Sequence, residues 1–214
     1  MLSALLTLLF GVRPGLIDDN DRLAKIRLPE LVDVGAYLDI QDNTVVVVLD
    51  MPKLVSIGSY LNLYNNDDLV TANFTNLETV GSYVSVYSNA DLAELHLNSL
   101  ATIGSSLQVS SNYALTEIVA RRLLTVGSFI SVSSNSYLVA ASFPNLDSTN
   151  GYIYFASNYN LDKIEMPRLT LVGSSTINGY NIYLSQSNAN VSMNILNHTT
   201  YSVCRVPRTS ATHS

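Results

Sequence analysis

The side chains best suited to catalysis are two glutamates, Glu94 and Glu117, which occupy the same position in two successive sequence repeats. If each repeat forms one turn of a solenoid, their backbones lie ~4.8 Å apart on adjacent turns. That is close to the spacing of the two carboxylates in a retaining glycosidase. The equivalent positions in neighbouring repeats are Thr71, Ala140 and Lys163, and no long loop could form a cleft nearby. We therefore predict a solvated face here and a protein that is not an enzyme.

Other signatures of catalysis or metal binding are missing from the sequence. The histidines His96, His198 and His213 form no spaced cluster with carboxylates, and Cys204 is the only cysteine. There is no Ser-His-Asp pattern, no glycine-rich phosphate loop and no repeated aspartate of a calcium-binding β-roll. The sequence predicts neither a metal site nor a cofactor.

Tyrosine recurs in two columns, with small polar residues between them. The predicted ligand-binding residues are Tyr37, Tyr60, Asn62, Tyr64, Tyr83, Ser85 and Tyr87. They alternate with apolar residues, so they should share the outward face of a sheet. Rigid aromatic rings among adaptable hydrogen-bonding groups resemble an antibody paratope, and they would also suit sugar rings. The alternative is that the stacked tyrosines only stabilise neighbouring strands.

Two further columns would position these side chains, because both return once in every repeat of the sequence. The first is Gly35, Gly58, Gly81, Gly104, Gly127, Asn150 and Gly173. Asparagine is the non-glycine residue that best tolerates positive φ, so Asn150 in this column predicts a left-handed backbone. The second is Asn43, Asn66, Asn89, Asn112, Asn135 and Asn158, preceded in register by Asn20. Stacked asparagines can bond to one another and to the turn backbone, which predicts a structural role.

The repeat has the pattern of short strands. Counting the glycine as position 0, apolar residues occupy positions 3, 5, 11, 14, 16 and 19, and turn residues separate them. We predict an all-β fold, a parallel β-helix of about seven rungs, where a rung is one turn of about 23 residues. The solenoid should cover residues 23–191. Residues 1–22 would be a signal-like segment or a degenerate first rung that includes Leu5 and Leu8, and residues 192–214 a C-terminal cap and tail.

The low content of charged residues limits the kinds of partner that the protein could bind. Only 13% of residues are charged and the net charge is −6, so the basic surface that nucleic acids require is absent. A surface with few charges and many Ser, Asn, Thr and Tyr side chains is typical of extracellular proteins. No stretch reaches the ~18 apolar residues of a membrane-spanning helix. Glycosylation sequons begin at Asn73, Asn190 and Asn197, which matter if the protein is eukaryotic and exported.

The repeat resembles that of the receptor L domains. Residues 77–81 (LETVG) and 84–92 (VSVYSNADL) carry the pattern, and residues 28–35 (LPELVDVG) and 51–58 (MPKLVSIG) resemble fungal and protist cell-surface repeats. The resemblance implies a right-handed parallel β-helix related to leucine-rich repeats, exported and non-catalytic. An ordinary leucine-rich-repeat horseshoe is the alternative fold. It expects N-x-L after the strand, whereas this chain has N-x-x-L.

The expected function is therefore a non-catalytic recognition or structural module at the cell surface, in the cell wall or in the extracellular space. It would bind a protein or a glycan through one face of the solenoid. One alternative is an enzyme that acts on polysaccharides, which needs a groove with clustered acids and bases. Another is an ice-binding solenoid, for which a hydroxyl column is suggestive: Ser56, Thr79, Thr102, Thr125 and Ser148.

Overall fold

The chain folds as a parallel β-solenoid of about seven turns of about 23 residues. The computed structural model describes residues 15–20, 22–173, 181–187, 191–195 and 203–207. Among these residues there are 24 strands, numbered along the chain, and no helix, so none that could cross a membrane. The predicted all-β solenoid is confirmed.

The largest sheet contains the first strand of every rung and has nine strands. They are β1 (Gly15–Asp18), β4 (Leu38–Gln41), β7 (Leu61–Tyr64), β10 (Val84–Tyr87), β13 (Leu107–Ser110), β16 (Ile130–Ser133), β19 (Ile153–Ala156), β22 (Ile182–Ser187) and β24 (Val203–Pro207). Neighbours from β1 to β19 pair in parallel with a shift of one full repeat, as Val84 does with Leu107. The ladder thus includes strands on both sides of residues 23–191, while Leu5 and Leu8 lie outside the described residues.

The second side of the solenoid consists of two four-stranded sheets. One contains β2 (Lys25–Arg27), β5 (Val48–Asp50), β8 (Thr71–Asn73) and β11 (Glu94–His96). The other contains β14 (Glu117–Val119), β17 (Ala140–Ser142), β20 (Lys163–Met166) and β23 (Ser192–Ile195). Within residues 22–173, all of which are described, no strand pairing joins β11 to β14. The second side is therefore interrupted at the middle of the molecule.

The third side is a seven-stranded sheet of two-residue strands. They are β3 (Asp33–Val34), β6 (Ser56–Ile57), β9 (Thr79–Val80), β12 (Thr102–Ile103), β15 (Thr125–Val126), β18 (Ser148–Thr149) and β21 (Leu171–Val172). Turns lead into these strands: for example, Leu54 N donates to Met51 O at 3.2 Å across Pro52. Proline suits the second residue of such a turn because its φ is already fixed near the required value.

Apolar side chains from all three sides fill a single core. Along a strand the inward and outward residues alternate, so Val84 and Val86 are fully buried while Ser85 between them is only half-buried. The pattern repeats in each rung at the positions that the sequence predicted. Each buried aliphatic or aromatic side chain contributes about 1.5–3 kcal/mol, so a stack of such rungs accumulates a large core.

The asparagine column is a continuous hydrogen-bonded ladder at the corner between the first and second sides. Asn112 Oδ1 accepts from both the backbone N and Nδ2 of Asn89, each at 3.1 Å, and Asn112 Nδ2 donates to Val86 O at 2.9 Å. The six asparagines from Asn43 to Asn158 are completely buried. Their amides meet the hydrogen-bonding needs of a buried corner.

The left-handed backbone lies just before these asparagines and not at the glycine column. Positive φ values of 52° to 58° occur at Asp19, Asp42, Asn65, Ser88, Ser111, Ser134 and Ser157. None of the column's glycines has φ in the left-handed region, and Asn150 does not either. The prediction of a left-handed glycine column is therefore wrong. These polar residues adopt the strained conformation in place of glycine, and the neighbouring asparagine ladder fixes the corner around them.

The glycines are required by close stacking of the backbone. A Cβ built on Gly81 would overlap the carbonyl group of Gly58 on the preceding rung, and Gly104 and Gly127 are in the same situation. Asn150 carries a Cβ in this column, and its N lies 3.2 Å from Val126 O, against 2.8–3.0 Å for the equivalent bonds of Gly58 to Gly127. The column therefore accepts a side chain on one rung.

Candidate functional site

The first sheet displays the predicted tyrosine columns on its outward face. In one column the rings of Tyr37, Tyr60 and Tyr83 stack, with centroids 4.8 and 4.7 Å apart and planes within 4°. In the other, Tyr64 and Tyr87 stack with centroids 5.1 Å apart. The parallel register of β4, β7 and β10 places equivalent side chains directly over one another. The structure thus brings the predicted binding residues together on one face.

A polar strip runs between the two columns. Asn62 Nδ2 donates to Asp39 Oδ1 at 2.8 Å, and the Tyr60 hydroxyl donates to Asp39 Oδ2 at 3.5 Å. Ser85 continues the strip on the next rung and is half-buried. Asp39 gives the strip one negative charge, which the sequence prediction did not include among the binding residues. A partner that contacts this face would need a hydrogen-bond donor or a cation opposite Asp39.

The surroundings of the first column also affect its ionisation. Burial raises the pKa of Tyr60 above its ordinary value, and the carboxylate of Asp39 raises it further. Burial likewise raises the pKa of Tyr83, with a smaller contribution from Asp39. Both phenols are therefore neutral hydrogen-bonding groups at physiological pH.

The first tyrosine column is interrupted at Ser106, which occupies the position of a tyrosine. Gln108 Nε2 donates to Ser106 Oγ at 3.3 Å, and Ser106 is buried. Beyond this point Phe129 stacks on Tyr152 with centroids 4.8 Å apart. The five predicted tyrosines therefore form one patch that ends at Ser106.

Stacking fixes which parts of the tyrosine rings face outward. Tyr60 stacks on a neighbouring ring on each side, so it presents its edge and hydroxyl outward. Such an array suits hydrogen bonding and edge contacts with a flat partner.

The two glutamates lie at the interruption of the second side. β11 and β14 are not paired, so no strand ladder joins Glu94 to Glu117. The Glu94 side chain is 60% exposed and its Oε2 lies 3.4 Å from His96 Nε2. Glu117 is also exposed. His198 and His213 lie outside the described residues.

A groove of about 590 Å³ follows the glycine column over five rungs. Its wall carries the hydroxyl column of the third sheet, in which Thr79, Thr102 and Thr125 pair in register. Each two-residue strand supplies a single outward side chain, so the hydroxyls form one file beside a groove. An ice-binding surface would require a wider flat plane. The lining residues include no acid or base.

The predicted glycosylation site Asn73 is half-buried on β8. Its Nδ2 donates to Asp50 Oδ1 at 2.8 Å, and its Oδ1 accepts from Thr75 N at 3.1 Å and from the Thr75 hydroxyl. Asn190 and Asn197 lie outside the described residues. Glycosylation stays a prediction at all three.

Sequence reasoning missed a second group of tyrosines. Tyr113 and Tyr137 are 50% and 62% exposed, the highest values of any tyrosine among the described residues, and Tyr159 is 39% exposed. They occupy the turns that follow the asparagine ladder on three successive rungs. The sequence signal was a tyrosine that follows the asparagine of each of these rungs. It comes one residue after the asparagine in two rungs and two residues after it in the third, so it does not recur with an exact period of 23 residues.

Comparison with known proteins does not assign the chain to a family. No family model matches the chain, and neither curated proteins nor solved structures give a significant match. The described residues contain no group of three or more His, Cys, Asp or Glu side chains that could hold a metal ion. The architecture, a parallel β-solenoid with a tyrosine-bearing face, is therefore the basis for any functional argument.

Proposed function

We propose that the protein is a non-catalytic recognition module of the extracellular space, the cell surface or the cell wall. It binds a protein or glycan through the outward face of the first sheet. The observation that carries this proposal is the pair of stacked tyrosine columns framing a hydrogen-bonding strip. A relationship to receptor L domains and leucine-rich repeats is part of the proposal, and the repeat pattern alone supports it.

Preorganisation is the physical reason for favouring this face. Stacking holds Tyr64 against Tyr87 at 5.1 Å, so little side-chain entropy is lost when a partner covers them. Tyr87 is nevertheless 43% exposed and can contribute apolar area and a hydroxyl together. Aromatic anchors of this kind commonly dominate the energy of an interface.

The test replaces Tyr64 and Tyr87 by serine after a glycan-array and cell-surface screen has identified a partner. The same column carries Ser110 and Ser133 on later rungs, so the double variant should stay folded. Binding is expected to weaken by at least about 2 kcal/mol. A variant with Tyr113 and Tyr137 replaced by alanine serves as the matched control at the asparagine corner.

Far-UV circular dichroism and a thermal melt establish that each variant is folded. A folded Y64S/Y87S protein that binds the partner as tightly as wild type would mean that the columns serve only to stabilise the strands.

A further inference from the structure

The first tyrosine column lacks one ring, at Ser106, between two stacks of aromatic rings. We propose that this gap, here called the Ser106 slot and bounded by Tyr83 and Phe129, receives a single uncharged aromatic side chain from a protein partner. The inference rests on the proposed function of the sheet face and names one contact within it.

Aromatic stacks end on both sides of Ser106. Tyr83 ends one stack, with its ring centroid 4.7 Å from that of Tyr60, and Phe129 begins another, with its centroid 4.8 Å from that of Tyr152. Within the described part of the chain, neither ring has a stacked partner on its Ser106 side. Each of the two rings therefore has one unstacked face, and both of these faces are directed toward the rung of Ser106.

The backbone passes through this rung with regular hydrogen bonds. Val84 N donates to Ser106 O at 2.9 Å, and Leu107 N donates to Phe129 O at 3.0 Å. Tyr83, Ser106 and Phe129 thus hold equivalent positions on three consecutive rungs, and the outer two are two strand spacings apart, ~9.6 Å. A ring midway between them would have its centroid ~4.8 Å from each neighbour, within the range of favourable aromatic pairs.

Tyr60 shows what such a position accepts. Its ring lies between two nearly parallel rings, with its centroid 4.8 Å from that of Tyr37 and 4.7 Å from that of Tyr83. The Ser106 slot offers the same two-sided environment without a ring of its own. Because stacked aromatic pairs gain more than their buried area alone provides, the slot favours a flat aromatic ring over an aliphatic side chain.

The polar groups of the Ser106 slot disfavour sugars and charged rings. Its floor is Ser106, which is only 4% exposed, and Gln108 Nε2 lies 3.3 Å from Ser106 Oγ. These two side chains are too few to pair with all the hydroxyls of a pyranose, and burying unpaired hydroxyls is costly. Residues 81–90, 104–115 and 127–138 contain no Asp, Glu, Lys or Arg, so a charged ring would find no counter-ion on these three rungs. Asp39 of the polar strip lies three rungs away from Gln108.

Gln108 covers the floor of the slot in the absence of a partner. A single hydrogen bond of 3.3 Å, longer than the usual range, holds its amide to Ser106, and the residue stays partly exposed. An entering ring would move this amide into solvent, where water replaces the lost bond. The ring and the Gln108 amide therefore compete for one place, so removal of the Gln108 side chain should strengthen binding.

A chemical-shift titration of the isotope-labelled protein with two blocked tripeptides tests the proposal. Acetylated and amidated Gly-Tyr-Gly should shift the backbone amide signals of Ser106, Leu107 and Gln108, and the matching Gly-Leu-Gly peptide should bind at least about tenfold more weakly. Failure of the tyrosine peptide to bind at millimolar concentration would overturn the proposal. Binding of p-cresol without binding of the tyrosine peptide would overturn it too, because the slot would then be a site for small aromatic molecules.

The decisive variant is Ser106→Tyr, which supplies the missing ring from the chain itself. Its affinity for the tyrosine peptide should fall by at least about tenfold, and its Tm should rise by about 2–4 °C because the stack is completed. Ser133→Tyr is the matched control, since it adds a tyrosine to the same face between Ser110 and Ala156, with no ring on either side. This control should bind the peptide as wild type does. Gln108→Ala should bind it about threefold more tightly.

Three results would contradict the proposal. A folded Ser106→Tyr protein that binds the tyrosine peptide as well as wild type would place the peptide elsewhere. A lowered Tm in Ser106→Tyr would show that the slot has no room for a ring. Unchanged affinity in Gln108→Ala would show that the ring does not enter where the amide lies.

The partner found by the screen separates this inference from the proposed function. We expect that partner to bind Ser106→Tyr at least about tenfold more weakly than wild type. A partner that is lost from Y64S/Y87S but binds Ser106→Tyr with full affinity would overturn this inference and leave the proposed function standing.

Discussion

The two halves of the solenoid share one skeleton and display different surfaces. In the N-terminal half, rungs up to β11, the first sheet carries stacked tyrosines and the asparagine corner carries Asp67, Asp68 and Asp91. In the C-terminal half, from β12 onward, the sheet face begins with Ser106, Gln108 and Ser110 and carries stacked aromatic pairs only further on, and the corner carries Tyr113 and Tyr137. Exposed tyrosines thus stand at the corner of the C-terminal half where the N-terminal half carries aspartates, while the core and the asparagine ladder continue unchanged.

This difference separates positions that make the fold from positions that are free to vary. Inward positions require apolar side chains because they are buried. The glycine and asparagine columns require those residue types because of backbone stacking and buried hydrogen bonding. Outward slots have no such constraint. The halves also meet at the interruption between β11 and β14, two described strands that do not pair. Coupling between the halves therefore depends on the first and third sides, on the shared core, and at the corner on the Asn89–Asn112 link and the bond from Ala114 N to Ala90 O.

The largest expected effect is at that link. Asn112→Leu removes the acceptor of Asn89 N and Nδ2 and the donor to Val86 O, all in a buried corner. Leaving these groups unpaired should cost about 3 kcal/mol or more. Because repeat proteins are held together by nearest-neighbour interfaces, urea unfolding should also separate into two transitions, one for each half.

Asn20→Leu is the matched control. Asn20 stands at the partly exposed end of the ladder and donates to Asn43 Oδ1 at 2.9 Å. Its loss should cost less than about 1 kcal/mol. An Asn112→Leu protein no less stable than the Asn20→Leu protein would show that the ladder does not join the halves.

The next effect tests whether the glycine corner is the same in both halves. Gly58→Ala in the N-terminal half and Gly127→Ala in the C-terminal half would each force a Cβ into the carbonyl group of the preceding rung. Both should lose about 1–3 kcal/mol, the usual range for overpacking, measured by chemical denaturation.

Gly151→Ala provides the comparison for these variants. The equivalent position carries Ala36, Ser59, Ser82, Ser105 and Ser128 in other rungs. A Cβ at Gly151 would lie 3.0 Å from Ser128 O, a contact that a small shift relieves. Its cost should stay below about 1 kcal/mol. If Gly58→Ala and Gly127→Ala differ from each other as much as from Gly151→Ala, the two halves do not share this corner.

Much of the skeleton could be predicted from sequence, because its determinants recur with a fixed period. The core slots and the asparagine ladder are examples, since a Leu or an Asn that returns at the same slot of every repeat must occupy the same environment in each rung. The backbone conformation could not be deduced in the same way. A recurring glycine is compatible with either positive φ or close stacking, and only the positions of Gly58 O and its equivalents decide between them.

The candidate sites were less accessible to sequence reasoning. The register of the first sheet correctly placed Tyr64 beside Tyr87, because stacking follows directly from the period. The corner tyrosines are offset by one residue between rungs, so their proximity becomes evident only when the turns are superimposed. The interruption beside Glu94 was equally hidden, since the period continues through it without an insertion.

The smallest expected effect concerns the first tyrosine column, in which one rung of the C-terminal half carries Phe129 in place of a tyrosine. Tyr60→Phe gives the N-terminal half the residue that Phe129 provides in the C-terminal half, stacked at the same 4.8 Å spacing. Burial first, and then Asp39, raises the pKa of Tyr60 above its ordinary value of 10.0. In the alkaline range the folded protein therefore holds this proton more tightly than the unfolded chain does. This contribution to the free energy of unfolding is fully present below pH ~10 and is lost as the pH rises through the folded-state pKa.

Thermal melts should give the variant and wild type the same Tm at pH 7, and the Tm of the variant should fall less steeply above pH ~10. Parallel curves across the whole range would mean that Tyr60 ionises as freely in the folded column as in the unfolded chain.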